Sequence, residues 1–542
     1  MRFLKLSILV FLLLPTVGFA ADESRPNVLV AISDDQSYPH TSAYGYAAIQ
    51  TPGFDRVART GVLFNNAFTP APGCSPMRAA FLTGRQIWQI ENAGTHGSSF
   101  PKRYAGYQKL LGDAGYFVGY TGKGWGPGNY KASGRGQNPA GPSFSQKKIK
   151  DPPPGVSKTD YAENFASFLK ERPKDKPFSF WFGCHEPHRT FGKGVGIANG
   201  LDPAKVVIPK FLPDTPEIRS DILDYCFEIQ WFDQHLMKML ETLDELGELE
   251  NTIVVVTSDN GMSFPRAKAN CYEYGIHMPL AISWPAKVPA NRRVDDLVSL
   301  VDVTATLLDA TSTAESEQSP LAGQSLMNVL LSDKSGIVDA NRQMVFSGRE
   351  RHSSARFNSL GYPQRAVRTT EYLYIRNFKP ERWPAGAPQK YGLGGYPKNS
   401  EVLLEQLGPM HGGYADIDPC PSLMSLVKHA DSPELGKYLG WSVDRRPAEE
   451  LFDIQKDPDC LNNLAGETQY LTVKNELSQA LMKYLKSTKD PRVTDADGGD
   501  IFETYPRYSA LRWFPVPDWA KDDDVDLPKM EWLEERRPKA KR

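Results

Sequence analysis

Short apolar runs that stop abruptly at polar residues set the rhythm of the first half of the chain. "NVLVAIS" runs from Asn27 into Asp34 and Asp35, "TIVVVTS" from Thr252 into Asp259 and Asn260, "YFVGYTG" into Lys123, and "PFSFWFGC" into His185 and His188. Unbroken apolar runs of this length predict parallel strands buried on both faces, and their polar exits predict a crevice at the carboxyl ends. Between them the period lengthens to that of a helix. From Glu217 to Leu246, the residues Ile222, Tyr225, Ile229, Phe232, Leu236, Leu240 and Leu243 recur every three or four positions, which predicts one long amphipathic helix. Strand alternating with helix predicts an α/β sheet.

After "SLVDVTATLLDAT" the pattern loosens through Ser312 to Ser319, and beyond Gln343 strands return with alternating and aromatic character, as in "QRAVRTTEYLYIRNF". A smaller antiparallel sheet is expected there, followed by a helix near Leu471 to Leu485. The chain of 542 residues exceeds the size at which single cores usually split. The expected division is a leader at 1–20, an α/β catalytic domain at 24–340, an α+β subdomain at 341–490 and a surface-wrapping tail at 491–542.

Composition narrows the function classes. A formal net charge of -2 offers no global field for nucleic acid or an anionic membrane, so an anionic ligand must be bound locally. "MRFLKLSILVFLLLPTVGFA" has a basic start, an apolar run and small residues near Ala20, the pattern of a cleaved signal peptide. Pro15 interrupts a run shorter than the roughly 20 residues a membrane span needs. Export to a periplasmic, secreted or lysosome-like compartment is expected, with no stable membrane insertion after cleavage. Six scattered cysteines make no disulfide framework, and the absence of a C-x-x-C pair argues against structural zinc.

Three carboxylates and one amide oxygen, from Asp34, Asp35, Asp259 and Asn260, suit a hard cation such as calcium, with magnesium open as well. Asp and Asn after a strand also make turns. The stretch "GCSPMRAAFLTGR" places Cys74 at a helix N-terminus, with Ser75 as expected cap, Pro76 in the first turn and Gly84 at the end. Such a position favours anionic chemistry, and Arg78 lies one turn on. A cysteine before a helix is also commonly a small buried hydrophobe.

"CSPMR" and "LTGR", together with "SDD", "GKG", "HEPH" and "SDNG", resemble the type I sulfatases of the alkaline-phosphatase superfamily, whose signature is C-x-P-x-R. The late "ELFDIQKDPDCLNNLA" resembles a segment of the same family. The resemblance implies an alkaline-phosphatase-like mixed sheet flanked by helices, with a smaller C-terminal antiparallel sheet plus helix. It implies that a formylglycine-generating maturation enzyme oxidises Cys74 to formylglycine, whose hydrated aldehyde attacks sulfur. A geminal diol can then expel sulfate with its second hydroxyl, where a serine would be left as a stable ester. By the same resemblance Asp34, Asp35, Asp259 and Asn260 hold calcium, which also contacts residue 74. Arg78 steadies the hydrate, Lys123 and Lys268 bind sulfate oxygens, and His185 protonates the leaving group.

This chain departs from the family at two places. Trp125 stands in "GKGWG" where a histidine that assists sulfate release is usual, leaving His96, His188 or His277 as candidates to replace it. Met77 stands where the maturation signal usually has Ser or Ala. The stretches "HEPHR", "IPKFLPDTPEIRSDI", "SDNGMSFP" and "YPQRAVRT" are most similar to the branch acting on heparan N-sulfoglucosamine, which implies a sulfated glycosaminoglycan-type saccharide. For its sulfates and carboxylates "SGRERHSSAR" offers Arg349, Arg351, His352 and Arg356, and His96 is a further pocket candidate. Trp383, Tyr391 and Tyr396 suit sugar stacking or plain packing. Two other readings stand beside the sulfatase: a phosphonate or phosphate ester hydrolase of the same superfamily, and a silent protein that binds sulfated glycans with Cys74 still a thiol. N-sulfate and O-sulfate are not distinguished.

Overall fold

Seven strands carry the apolar runs: β1 (Asn27–Ser33), β2 (Val62–Phe68), β3 (Phe117–Gly122), β4 (Phe178–Gly183), β5 (Thr252–Ser258), β6 (His277–Ser283) and β7 (Arg292–Ser299). In this computed structural model, which describes residues 25–315, 320–388, 413–514, 516–521, 528 and 530–536, they form one sheet in the order β3-β4-β1-β5-β6-β2-β7. The leader expected at 1–20, together with Tyr391 and Tyr396, lies outside the described residues. β3, β4, β1 and β5 are parallel neighbours, as are β2 and β7, while β6 runs antiparallel between β5 and β2. The sheet is therefore mixed. β5 and β6 are joined by loop and a single helical turn, Glu273–Ile276, rather than by a crossover helix, so β6 enters where β5 leaves.

Six helices cover the two faces: α1 (Pro52–Thr60), α2 (Cys74–Thr83), α3 (Tyr107–Asp113), α4 (Tyr161–Glu171), α5 (Pro216–Glu245) and α6 (Leu300–Ala310). Strand side chains alternate between them. Leu29, Ala31, Phe180 and Val254 pack with Phe54 of α1, Phe165 of α4, and Phe232, Leu236 and Leu240 of α5. Val28, Val30, Ile32 and Val255 share the opposite core with Met77 and Phe81 of α2, Leu111 of α3 and Leu300 of α6. Each of these side chains larger than alanine contributes about 1.5–3 kcal/mol by leaving water, which fixes the strands that present the site. α5 starts where its sequence dictates: Thr215 accepts a hydrogen bond from the Ile218 amide, and Pro216 occupies the first turn.

A second sheet, wholly antiparallel, comprises β8 (Val345–Arg349), β9 (Gln364–Arg368), β10 (Tyr372–Asn377) and β11 (Glu449–Asp453) in the order β11-β10-β9-β8. Leu477, Leu481 and Leu485 of α7 (Leu471–Ser487) are its buried stripe. Beyond α7 the chain returns to loops of both sheets: Ser98 Oγ donates to the Pro506 carbonyl at 2.7 Å and the Gly361 amide to Glu503 Oε2 at 2.8 Å. All six cysteines are unpaired and buried.

Candidate active site

Because β1 to β5 are mutually parallel, their carboxyl ends share one edge, and the polar exits meet there. Asp34, Asp35 and Asp259 bring carboxylate oxygens within 4.8 Å of one another, all buried. Asp35 adopts a left-handed φ of 75° that Asp tolerates better than most residues, and its amide donates to Asp259 Oδ1 at 3.0 Å. Three cations, buried Arg78 and Lys268 and half-buried Lys123, offset this charge. Lys123 Nζ pairs with Asp34, Lys268 Nζ pairs with Asp35 and lies 3.1 Å from Asp418, and Arg78 Nε donates to Asp259 Oδ2 at 2.8 Å.

Electrostatics within the group are uneven. Burial pushes the Asp34 carboxyl up, but Lys123, His188, Arg78 and Lys268 together hold it well below the usual carboxylate range. Burial and the adjacent Asp34 push Asp259 up to about 6 against the pull of Arg78. Asp34 Oδ1 and Asn260 Oδ1 are buried without a hydrogen-bond partner. Free oxygens beside crowded carboxylates fit a hard divalent cation, and His188 and Asp418 gather with Asp35 at the margin of the group.

Cys74 opens α2 and is 2% exposed. Burial, partly opposed by Lys123, pushes its thiol up to about 11, so the unmodified side chain is neutral and a poor nucleophile. Gly84 ends the helix at φ 64°, as expected, but the cap differs: extended Gly73 holds the N-cap, and Ser75 Oγ instead accepts from the Gly97 amide at 3.1 Å. That bond ties the His96 loop to α2. Cys74 Sγ lies 3.2 Å from His96 Nε2, and the His96 and His352 rings are 4.6 Å apart. Burial, then the neighbouring His352 and Arg507, lowers the His96 pKa well below its ordinary value and keeps the ring neutral. Arg78 also donates to the Lys123 carbonyl at 2.8 Å, and its Nη2 is buried with no partner.

Two more histidines flank the acidic group. His185 is exposed at the mouth; desolvation by the surrounding protein, then Lys123, lowers its pKa. His188 Nε2 lies 4.0 Å from Asp35 Oδ2, while its Nδ1 faces the Arg189 carbonyl at 2.6 Å. Trp125 is buried, its indole Nε1 donating to the Ser75 carbonyl at 3.1 Å. An indole has no acceptor nitrogen, so Trp125 braces α2 and takes no proton.

Several candidates are occupied elsewhere. His277 is held by Glu273 at 3.0 Å and the Asn65 carbonyl at 2.8 Å, with its ring stacked on Tyr38 and Phe68; both nitrogens are spent, so it is not free for substrate. Arg349 and Arg356 both bind Asp416 Oδ2, at 2.6 and 2.5 Å, so the expected pocket contacts are consumed by a buried acid. Arg351 donates to the Tyr505 carbonyl at 2.8 Å and lies over Trp532. Sequence reasoning missed Asp416, Asp418 and Arg507. Asp416 Oδ1 lies 3.4 Å from His352 Nδ1, and Arg507 grips the His96 and His352 carbonyls.

The site is thus an acid-lined, cation-compensated sheet edge with a cysteine at a helix N-terminus. The chain belongs to the sulfatase family, the sulfuric ester hydrolases: the family model described as Sulfatase matches residues 26–313, and that described as N-sulphoglucosamine sulphohydrolase, C-terminal, matches residues 266–384. The chain is 27% identical over 515 residues to human N-sulphoglucosamine sulphohydrolase, covering 88% of this chain and 93% of that protein. It is 24% identical over 502 residues to an ulvan-active sulfatase of Formosa agariphila, covering 86% and 76%. A solved structure of a protein in complex with its substrate D-glucosamine-2-N,6-O-disulfate has the same fold, with a TM-score of 0.56 at 20% identity over 87% of this chain and 99% of that one.

Proposed function

We propose that this sulfatase removes sulfate from a glycosaminoglycan-type saccharide, foremost the N-sulfate of a terminal heparan glucosamine, with residue 74 matured to formylglycine and calcium held by Asp34, Asp35, Asp259, Asn260 and residue 74. The observation that carries the reading is a buried Cys74 facing three cations and three carboxylates at one sheet edge. The relative that removes sulfate from N-sulphoglucosamine, by its name, supports the substrate class.

When bound, calcium supplies Lewis-acid polarisation of a sulfate oxygen. Matured residue 74 supplies a hydroxyl nucleophile with a second hydroxyl to release sulfate. Lys123 and Lys268 stay protonated, because the carboxylates of Asp34, Asp35 and Asp418 outweigh the burial that opposes their charge. They neutralise charge that grows on the sulfate oxygens, and the free Nη2 of Arg78 is a donor for the residue-74 oxygens. His185, at the mouth, delivers a proton to the departing nitrogen or oxygen. Export through the leader, with maturation by a formylglycine-generating enzyme, belongs to the same reading.

Sulfate release from N-sulfoglucosamine-terminated and 6-O-sulfated heparan fragments tests it, using protein coexpressed with that enzyme and Cys74→Ala as control. Release of N-sulfate alone is expected. Release of O-sulfate alone overturns the substrate; no release from protein with formylglycine at residue 74 overturns the glycan reading.

A further inference from the structure

Arg507 lies in the tail, beyond both matched family regions, the later of which ends at residue 384. Its side chain is buried, and Nη1 donates to the His96 carbonyl at 3.1 Å and the His352 carbonyl at 3.0 Å while lying 3.4 Å from His96 Nδ1. Nε donates to the Ala510 carbonyl at 3.2 Å. The tail around it is fastened to the same two loops. The Tyr508 amide donates to the Gly97 carbonyl at 2.7 Å and the Ser354 hydroxyl to the Arg512 carbonyl at 3.1 Å, while Arg536 grips the Arg507 carbonyl at 2.5 Å. One guanidinium thus joins two loops whose histidine rings lie 4.6 Å apart, tilted by 36°, with His96 beside residue 74.

We infer that Arg507 is a positioning residue for residue 74: it fixes His96 with Nδ1 as acceptor and Nε2–H directed at the residue-74 side chain, with His352 held behind it. A guanidinium has five donors and no acceptor, so with Nη1 3.4 Å from Nδ1 the His96 ring meets it with an unprotonated Nδ1 and carries its proton on Nε2, the atom 3.2 Å from Cys74 Sγ. His96 therefore donates to residue 74 and orients it, rather than acting as the base that the family's histidine would provide at the position of Trp125. This role deepens the proposed function and rests on residue 74 being the reacting group.

The tautomer is read without turnover from nitrogen-15 spectra of histidine-labelled protein, with His96 assigned by difference against His96→Gln. Protonated Nε2 in the wild type and mixed tautomers in Arg507→Ala are expected; protonated Nδ1 in the wild type overturns the inference. In turnover, Arg507→Ala lowers kcat by about 100-fold, the usual cost of a misplacement near 1 Å, with KM changed less than about threefold. Residue-74 aldehyde content and thermal midpoint are measured alongside. Millimolar guanidinium restores part of kcat, whereas Arg507→Lys, which keeps the charge without the fork, stays impaired. Unchanged kcat in Arg507→Ala, or a loss that guanidinium does not relieve, contradicts the assignment. A wild type that releases no sulfate fails the functional reading instead, and the tautomer still decides the role of Arg507.

Discussion

Asp416→Ala removes one buried carboxylate on which two buried arginines converge. Asp416 Oδ2 accepts from Arg349 at 2.6 Å and Arg356 at 2.5 Å, and Oδ1 accepts from the Ser353 amide at 2.9 Å and its hydroxyl at 2.7 Å. Breaking a buried ion pair by deleting one partner costs about 3–5 kcal/mol, and two hydrogen bonds to charged groups give about 3–6 kcal/mol by a separate route. The Pro384 carbonyl still accepts from both arginines, which holds the loss to the lower half, about 4 kcal/mol. At about 3 kcal/mol per molar urea, the midpoint falls by more than about 1 M. Burial opposes ionisation of Asp416, but Arg356, Arg349 and His352 hold its pKa well below the ordinary value. Its contribution is therefore complete above the unfolded value, about 3.9, and fades as pH drops below it, so wild type and variant converge in acid. A urea midpoint within about 0.2 M of wild type at pH 7, or a gap that widens in acid, refutes the reasoning.

Three further outcomes follow, two from the site and one from an exposed pair that serves as a control. Calcium at about a hundred times its dissociation constant adds about 2.7 kcal/mol of stability, read as a higher thermal midpoint that a chelator reverses and Asn260→Ala largely abolishes; an unchanged midpoint denies the cation site. His185→Gln lowers kcat/KM and removes the alkaline limb of its pH profile. The donor must be protonated and its pKa is lowered, so that limb falls below pH 6.5, and a limb at pH 8 excludes His185. Lys109 and Asp113 form an exposed pair, so Asp113→Ala leaves the urea midpoint unchanged; a loss as large as that of Asp416→Ala would show that burial is not what makes the latter costly.

The acidic edge was legible because buried strands announce themselves as apolar runs and their ends as polar breaks: Asp34, Asp35, Asp259 and Asn260 all lie one or two residues past a strand. α5 was legible because thirty residues keep one period. The direction of β6 was not, since "HMPLAIS" reads alike along or against its neighbours. Ser75 before Pro76 looks like a cap, but Gly73, at φ -163° and ψ 136°, caps the helix two residues earlier. Arg349 and Arg356 looked free because their partner, Asp416, stands 67 and 60 residues away in a loop without period. Arg507 left no signal, since a lone arginine in an irregular tail shows nothing of the loops it joins.

The central claim is that residue 74 is the reacting group of a sulfatase, and the mass of the tryptic peptide bearing it, measured beside sulfate release from the same preparation, tests that most directly. The account predicts formylglycine at residue 74, sulfate release in proportion to the fraction converted, and none from Cys74→Ala. Full release from protein that retains the thiol, or from Cys74→Ala, would contradict it.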